Sequence, residues 1–127
     1  MSFLRKLFKR GDDEEAEDDG SPIVLDSAAY ASRLLRLEKA LDAVAAEMRA
    51  DQSMDNPGWR GRVNEYSQLA GECMQVRRSS PLTKEAVLDV VFSVRPVFSG
   101  PIPPGLEAIG PLQEEMLTAA EDLRKSS

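Results

Sequence analysis

The feature that most constrains the fold of this chain is a regular apolar stripe between residues 26 and 51. The side chains of the stripe recur at alternating spacings of four and three residues, and they are Tyr30, Leu34, Leu37, Leu41, Val44 and Met48. This spacing places them on one face of an α-helix, in a seam of about three heptads. Asp26 or Ser27 can cap the start of the helix, and no Gly or Pro interrupts it before Pro57. A helix with one apolar face is stable when that face is buried against other elements.

A second stripe with the same spacing follows Pro57. Asn56 as the N-cap, with Pro57 at the first helical position, is typical of a helix start. The side chains that then step by four and three residues are Trp59, Val63, Tyr66, Ala70 and Cys73. We expect this helix to end near Arg77. Gly61 and Gly71 lie inside it, and each costs roughly 1 kcal/mol relative to Ala.

The segment from residue 84 to about residue 94 is predicted to form a third helix. Thr83 is a suitable N-cap, and Leu82 and Val87 flank it as a hydrophobic staple. The run AVLDVVFSV is rich in β-branched residues, so a strand is the alternative. We expect a helix because the cap and the staple agree, and because a single strand would have no partner in this sequence.

Residues 95–105 contain four prolines and two glycines, which excludes regular structure there. Pro111 then suits the first turn of a last helix. Its apolar side chains again step by three and four residues, and they are Ile109, Leu112, Met116, Ala119 and Leu123. Arg124 and Lys125 lie in its last turn, where they complement the helix dipole.

Four amphipathic helices joined by loops predict an all-α fold, a small antiparallel helical bundle of about four helices. The chain has 127 residues, enough for one core of this kind. Only 6% of the residues are aromatic, which favours helices packed through Leu, Val, Ala and Met. The predicted organisation is a short basic amphipathic helix at 1–10, a disordered acidic linker at 11–24 and a helical bundle domain at 25–127.

The first ten residues are the candidate docking site. On a helix, one face would carry Phe3, Leu4, Leu7 and Phe8, and the other would carry Arg5, Lys6, Lys9 and Arg10. Such a segment has the composition of an interfacial membrane anchor, and each basic residue near an anionic surface contributes about 1 kcal/mol. The seven acids between residues 12 and 19 weaken that attraction, and they can also mask the basic segment. The alternative is a terminus without a binding role.

The residue types present argue against a catalytic, cofactor-binding or metal site. The chain has no histidine and one cysteine, Cys73, so a Ser-His-Asp triad, a Cys-His pair and a structural zinc site are all excluded within it. Neither GxGxxG nor GxxxxGK[ST] occurs. Cys73 lies on the apolar stripe of the second helix, so we expect a buried residue that packs as a small apolar side chain. We predict no cofactor and no enzymatic activity.

A nucleic-acid-binding surface on the second helix is a less favoured interpretation than core packing of its aromatic residues. Arg60, Arg62, Arg77 and Arg78 bracket two aromatic residues there. The net charge of -6 opposes this reading, because nucleic-acid-binding domains are usually strongly basic. Half of that net charge comes from the first twenty residues, so the rest of the chain is close to neutral.

These observations predict a non-enzymatic interaction or adaptor module. It would dock through its N-terminal helix to an anionic membrane surface or to a groove on a protein partner. The single cysteine and the absence of a continuous apolar run indicate a cytoplasmic protein. Docking of the N-terminal helix to lipid would place it at the inner membrane face. The alternatives are a self-associating structural protein, in which the first stripe pairs across a homodimer, and an accessory subunit of an enzyme complex.

Overall fold

The computed structural model of the protein describes residues 23–126. Within this range the chain forms four α-helices, which are α1 (Ser27–Arg49), α2 (Pro57–Arg77), α3 (Lys84–Ser93) and α4 (Ile109–Ser126). Apart from one isolated bridge between Val24 and Thr83, residues 23–126 contain no β-structure. The all-α prediction is confirmed. The predictions for the helix at 1–10 and for most of the linker at 11–24 lie outside the described residues.

The predicted caps form as hydrogen bonds. The Asp26 side chain accepts from the backbone N–H of Ala28 at 3.0 Å, and the Asn56 side chain accepts from Gly58 at 2.8 Å. The Thr83 hydroxyl accepts from the N–H of Ala86 at 3.2 Å. Each cap provides an acceptor for an N–H that has no partner in the first turn of a helix.

The apolar stripes meet in one core. Helix α1 packs against both α2 and α4, and α3 contacts α2 and α4. Every residue of the α1 stripe is buried, and five of them have no exposed surface, namely Leu34, Leu37, Leu41, Val44 and Met48. Among residues 23–126 no polar or charged residue is fully buried. Because the α1 stripe is covered within the chain, it offers no free apolar surface for pairing with a second copy.

One open alternative is resolved by the structure. Residues Lys84–Ser93 form a helix, which decides between the helix and the strand in favour of the predicted helix. Between α1 and α2 lies the 3₁₀-helix Gln52–Asp55, which Asp51 begins by accepting from the N–H of Ser53 at 2.7 Å. No helix in the described part of the chain is long and apolar enough to cross a bilayer.

The proline-rich loop at residues 95–105 is held on the helices by polar contacts that its composition did not predict. The side-chain amide of Gln113 accepts from the N–H of Phe98 at 2.9 Å and donates to its carbonyl at 3.2 Å. The Phe98 ring lies against Trp59, with 6.3 Å between the ring centroids. Val97 is buried beside it. The loop therefore packs as part of the core's edge even though it has no regular structure.

The chain approaches α1 along the start of α3. The carbonyl of Ile23 accepts from the N–H of Lys84 at 2.8 Å, and the N–H of Leu25 donates to Leu82 at 2.7 Å. The sequence predicted that Ile23 and Val24 belong to the linker. In the structure Ile23 is hydrogen bonded to Lys84, and Val24 forms a β-bridge with Thr83. This fixes the point from which the N-terminal residues extend.

Candidate docking surface on helices α2 and α3

The residues predicted to dock to a membrane or a partner lie outside the described range, and they are Phe3, Leu4, Arg5, Lys6, Leu7, Phe8, Lys9 and Arg10. The described domain has a concave surface of its own. It is an open groove between α2 and α3, with a volume of about 480 Å³. We call it the α2–α3 groove, and its walls include Glu65, Gln68, Leu69, Glu72, Ser93 and Arg95.

One end of the groove is closed by a hydrogen-bonded cluster around Tyr66. The phenol donates to the carbonyl of Arg95 at 2.7 Å. Arg62 donates to the carbonyls of Val97 at 2.7 Å and Pro96 at 3.0 Å, and to the Tyr66 hydroxyl at 3.3 Å. These bonds fix the chain where it leaves α3. Burial raises the pKa of Tyr66, and the nearby Arg62 charge partly offsets the rise.

The rest of the surface carries four acids and one exposed cation, Arg95. Glu65 and Glu72 are two turns apart on the same face of α2, and Asp89 lies one turn before Ser93 on α3. Glu85 adds a fourth acid one turn before Asp89. In the described part of the chain, none of these four carboxylates forms an ion pair. Their charge is therefore available to a cationic ligand.

An apolar side chain stands beside these acids. Phe92 precedes Ser93 in the last turn of α3, and it is 68% exposed. Val87, Val90 and Val91 face the core from the same helix, so Phe92 points away from the core. A large exposed ring next to a groove is typical of a binding surface.

The arginines considered as a nucleic-acid patch are mostly bound within the protein. Arg62 donates to backbone carbonyls as described above, and Arg77 pairs with Glu38 at 2.9 Å. Arg60 donates to the carbonyl of Met54 at 2.9 Å. Only Arg78 of the four makes no side-chain bond within the described residues. The four guanidinium groups therefore do not form one free basic surface.

Cys73 occupies the position expected for a core residue. It has no exposed surface, and its thiol donates to the carbonyl of Leu34 at 3.2 Å. Burial raises the pKa of Cys73 to about 12, which keeps the thiol protonated at neutral pH. Across residues 23–126, no group of three or more Cys, Asp and Glu side chains is arranged to hold a metal ion.

The α2–α3 groove was not predicted from the sequence, although a signal for it existed. A helical projection of α3 that places the three valines inward leaves Glu85, Asp89 and Phe92 outward. The pairing of α3 with the Glu65 and Glu72 face of α2 depends on tertiary packing. Comparisons with models of protein families, with curated proteins and with solved structures found no match for this chain.

Proposed function

We propose that the protein is a non-enzymatic adaptor that associates with anionic membrane surfaces through residues 2–10. In this proposal the helices of the domain at 25–127 form a small antiparallel bundle that presents a surface to a protein partner. The acidic linker joins the two parts. The observation that supports the proposal best is the two-faced sequence of Phe3 to Arg10, with four apolar and four basic residues and no acid.

The surface of the described domain supports the division of roles. Its apolar stripes are buried in its own core, and the α2–α3 surface, where four acids outnumber two arginines, would be repelled by an anionic bilayer. Membrane contact therefore falls to the basic segment, and the domain is left facing a partner.

Co-sedimentation with lipid vesicles tests the proposal in the full-length chain. The variant K6Q/K9Q removes two charges from the basic segment, and the matched control K39Q/R78Q removes two exposed charges from the domain. Two basic residues near an anionic surface contribute about 2 kcal/mol, so K6Q/K9Q should bind phosphatidylserine-containing vesicles about 30-fold more weakly. The control should bind like the wild type.

Two further conditions complete the test. Vesicles of phosphatidylcholine alone should bind the wild type far more weakly, and added salt should release it from the anionic vesicles. The variant F3S/F8S, which keeps all charges, should also lose affinity because it removes the inserted rings. Equal sedimentation of the wild type and K6Q/K9Q would contradict the proposal and redirect the search to a protein partner for residues 2–10.

A further inference from the structure

We infer that the α2–α3 groove is an intramolecular docking site for residues 2–10, which holds this segment away from the membrane until it is displaced. The inference rests on the proposed function, because it assigns a second binding site to the same segment. The occupant is a segment of this chain, and three observations support that choice.

The first observation is charge complementarity. Residues 2–10 carry four basic side chains and no acidic one. Glu65 and Glu72 line the groove, Glu85 and Asp89 are exposed on the neighbouring helix α3, and within residues 23–126 none of the four forms an ion pair. Two cations also line the groove: Arg62 donates to backbone carbonyls and Tyr66 at its closed end, and Arg95 is exposed. Four acids against two arginines give this surface an acidic excess, which suits a segment whose sequence has four basic residues and no acid.

The second observation is the apolar surface beside the acids. Leu69 lines the groove, and Phe92, which directly precedes the lining residue Ser93, is largely exposed. The Phe and Leu face of residues 2–10 has a counterpart there. The acidic linker has the charge to attract the basic segment but no large apolar side chain between Gly11 and Pro22. The groove therefore offers both kinds of contact that the segment can make.

The third observation is the point where the described chain begins. Ile23 is hydrogen bonded to Lys84 at the start of α3, and the closed end of the groove lies just beyond the other end of that ten-residue helix. Ten helical residues span about 15 Å. The twelve residues from 11 to 22 can span up to about 40 Å. The tether is long enough to return residues 2–10 along the groove, and it keeps their effective concentration high.

A spin label at the N-terminus of the full chain tests the inference. The substitution S2C places a nitroxide on the first residue of the segment, and Cys73 should escape labelling because it has no exposed surface. At low salt the label should broaden the backbone amide signals of residues 65–72 and 85–93, at a level independent of protein concentration. The same label in the E65Q/D89N background should lose most of this broadening.

The matched control is D42N/E114Q, which removes two exposed acids of α1 and α4 that form no ion pair in the described range. It should keep the broadening of the wild type. Without the label, E65Q/D89N should bind phosphatidylserine-containing vesicles about two- to tenfold more tightly than the control, because two surface charge contacts that compete with the membrane are removed.

Three outcomes would overturn the inference. Broadening confined to the linker would mean that the acids at residues 12–19 hold the segment. Broadening that grows with protein concentration would mean that the groove binds a second copy, and even broadening of the whole domain would mean that the segment has no preferred site. The failure of the proposed function is separate from these, since it would appear as an absence of vesicle binding in every variant, whatever the broadening shows.

Discussion

The phenol of Tyr66 donates to the carbonyl of Arg95 at 2.7 Å, which ties the middle of α2 to the residue where the chain leaves α3. Arg62, one turn before Tyr66, donates to the next two carbonyls along the same stretch. One helical face thus provides the donors for three consecutive backbone acceptors of a segment that has no regular structure. These contacts set the shape of the closed end of the α2–α3 groove.

Removing the phenol hydroxyl should weaken this connection. We expect Y66F to lower the free energy of unfolding by about 1 kcal/mol, because the Arg95 carbonyl loses its donor in a half-buried position. R62A should cost about 2 kcal/mol, since it removes charged donors from two carbonyls. Urea denaturation measures both values. As a control, K39A changes an exposed residue of α1 and should have little effect, and an equal loss in all three variants would contradict the assignment.

The two glycines of α2 give a prediction of opposite sign. Apart from the adjoining residues and the backbone of the same helix, no atom of the described chain lies within 4 Å of the position that a Cβ would take at Gly61 or Gly71. Replacing either with Ala should raise the free energy of unfolding by about 0.5–1 kcal/mol, because Ala loses less backbone entropy in a helix.

Gly105 provides the contrasting control for this prediction. Its φ of 91° lies in the region that L side chains rarely adopt. We expect G105A to destabilise the protein by about 1 kcal/mol although no described atom obstructs the new Cβ. Thermal denaturation of the three variants would show melting temperatures that rise for G61A and G71A and fall for G105A. A fall in G61A or G71A would contradict the open surroundings at that position.

The helices could be predicted from the sequence because their signals are local. The stripe from Tyr30 to Met48 repeats with helical spacing, and the caps at Asn56 and Thr83 depend on residues within one turn. Even the ambiguous run AVLDVVFSV was assigned correctly, since the cap and staple around Thr83 outweighed its β-branched composition. Among residues 23–126, the helices whose signals lie within about four residues were predicted correctly.

The candidate site could not be predicted in the same way, because its parts are distant in sequence. Glu65 and Ser93 line one groove only after α3 packs on α2, and Gln113 accepts from the N–H of Phe98, fifteen positions away. The pairing of Ile23 with Lys84 joins the start of the described chain to its middle. No periodic pattern in the sequence predicts such contacts, because they form only when the helices pack together.

The free energy of unfolding at alkaline pH should depend on the buried thiol of Cys73. Burial raises the pKa of Cys73 from its ordinary 9.0 to about 12, so the thiol binds its proton more tightly in the folded state. Its contribution to stability is complete below pH 9 and is lost as the pH rises from 9 towards 12, because the unfolded chain ionises first. Between pH 9 and pH 10 the wild type should lose about 1 kcal/mol more than C73A does.

Thiol chemistry gives a second check on the same residue. A thiol reagent at pH 8 should modify Cys73 only as fast as the protein unfolds, since the side chain has no exposed surface. The rate should rise sharply in urea. Fast modification in native buffer, or a difference between wild type and C73A that does not change with pH, would refute the assignment of a buried, protonated thiol.

The ion pair that joins α1 to α2 should matter more than the one that joins α1 to α4. Arg77 and Glu38 lie 2.9 Å apart with side chains that are 23% and 16% exposed, whereas the side chains of Arg36 and Glu115 are 40% and 48% exposed. Water and salt screen the second pair more strongly. We therefore expect E38Q to lower the free energy of unfolding by about 1 kcal/mol, because it leaves a half-buried guanidinium with a weaker acceptor.

The matched variant E115Q should give a smaller loss, one that disappears when salt is added. The pKa of Glu115 in the wild type tests the same contact independently, since the hydrogen bond from Arg36 lowers this pKa. The stability that this carboxylate contributes is present above its unfolded pKa, and it is lost as the pH falls through the lower, folded value. E115Q should therefore differ from the wild type at neutral pH and low salt and should converge with it in acid. If E115Q instead costs more than E38Q at neutral pH, exposure does not rank the two pairs, and α4 depends on its charge contact with α1 more than the buried stripes imply.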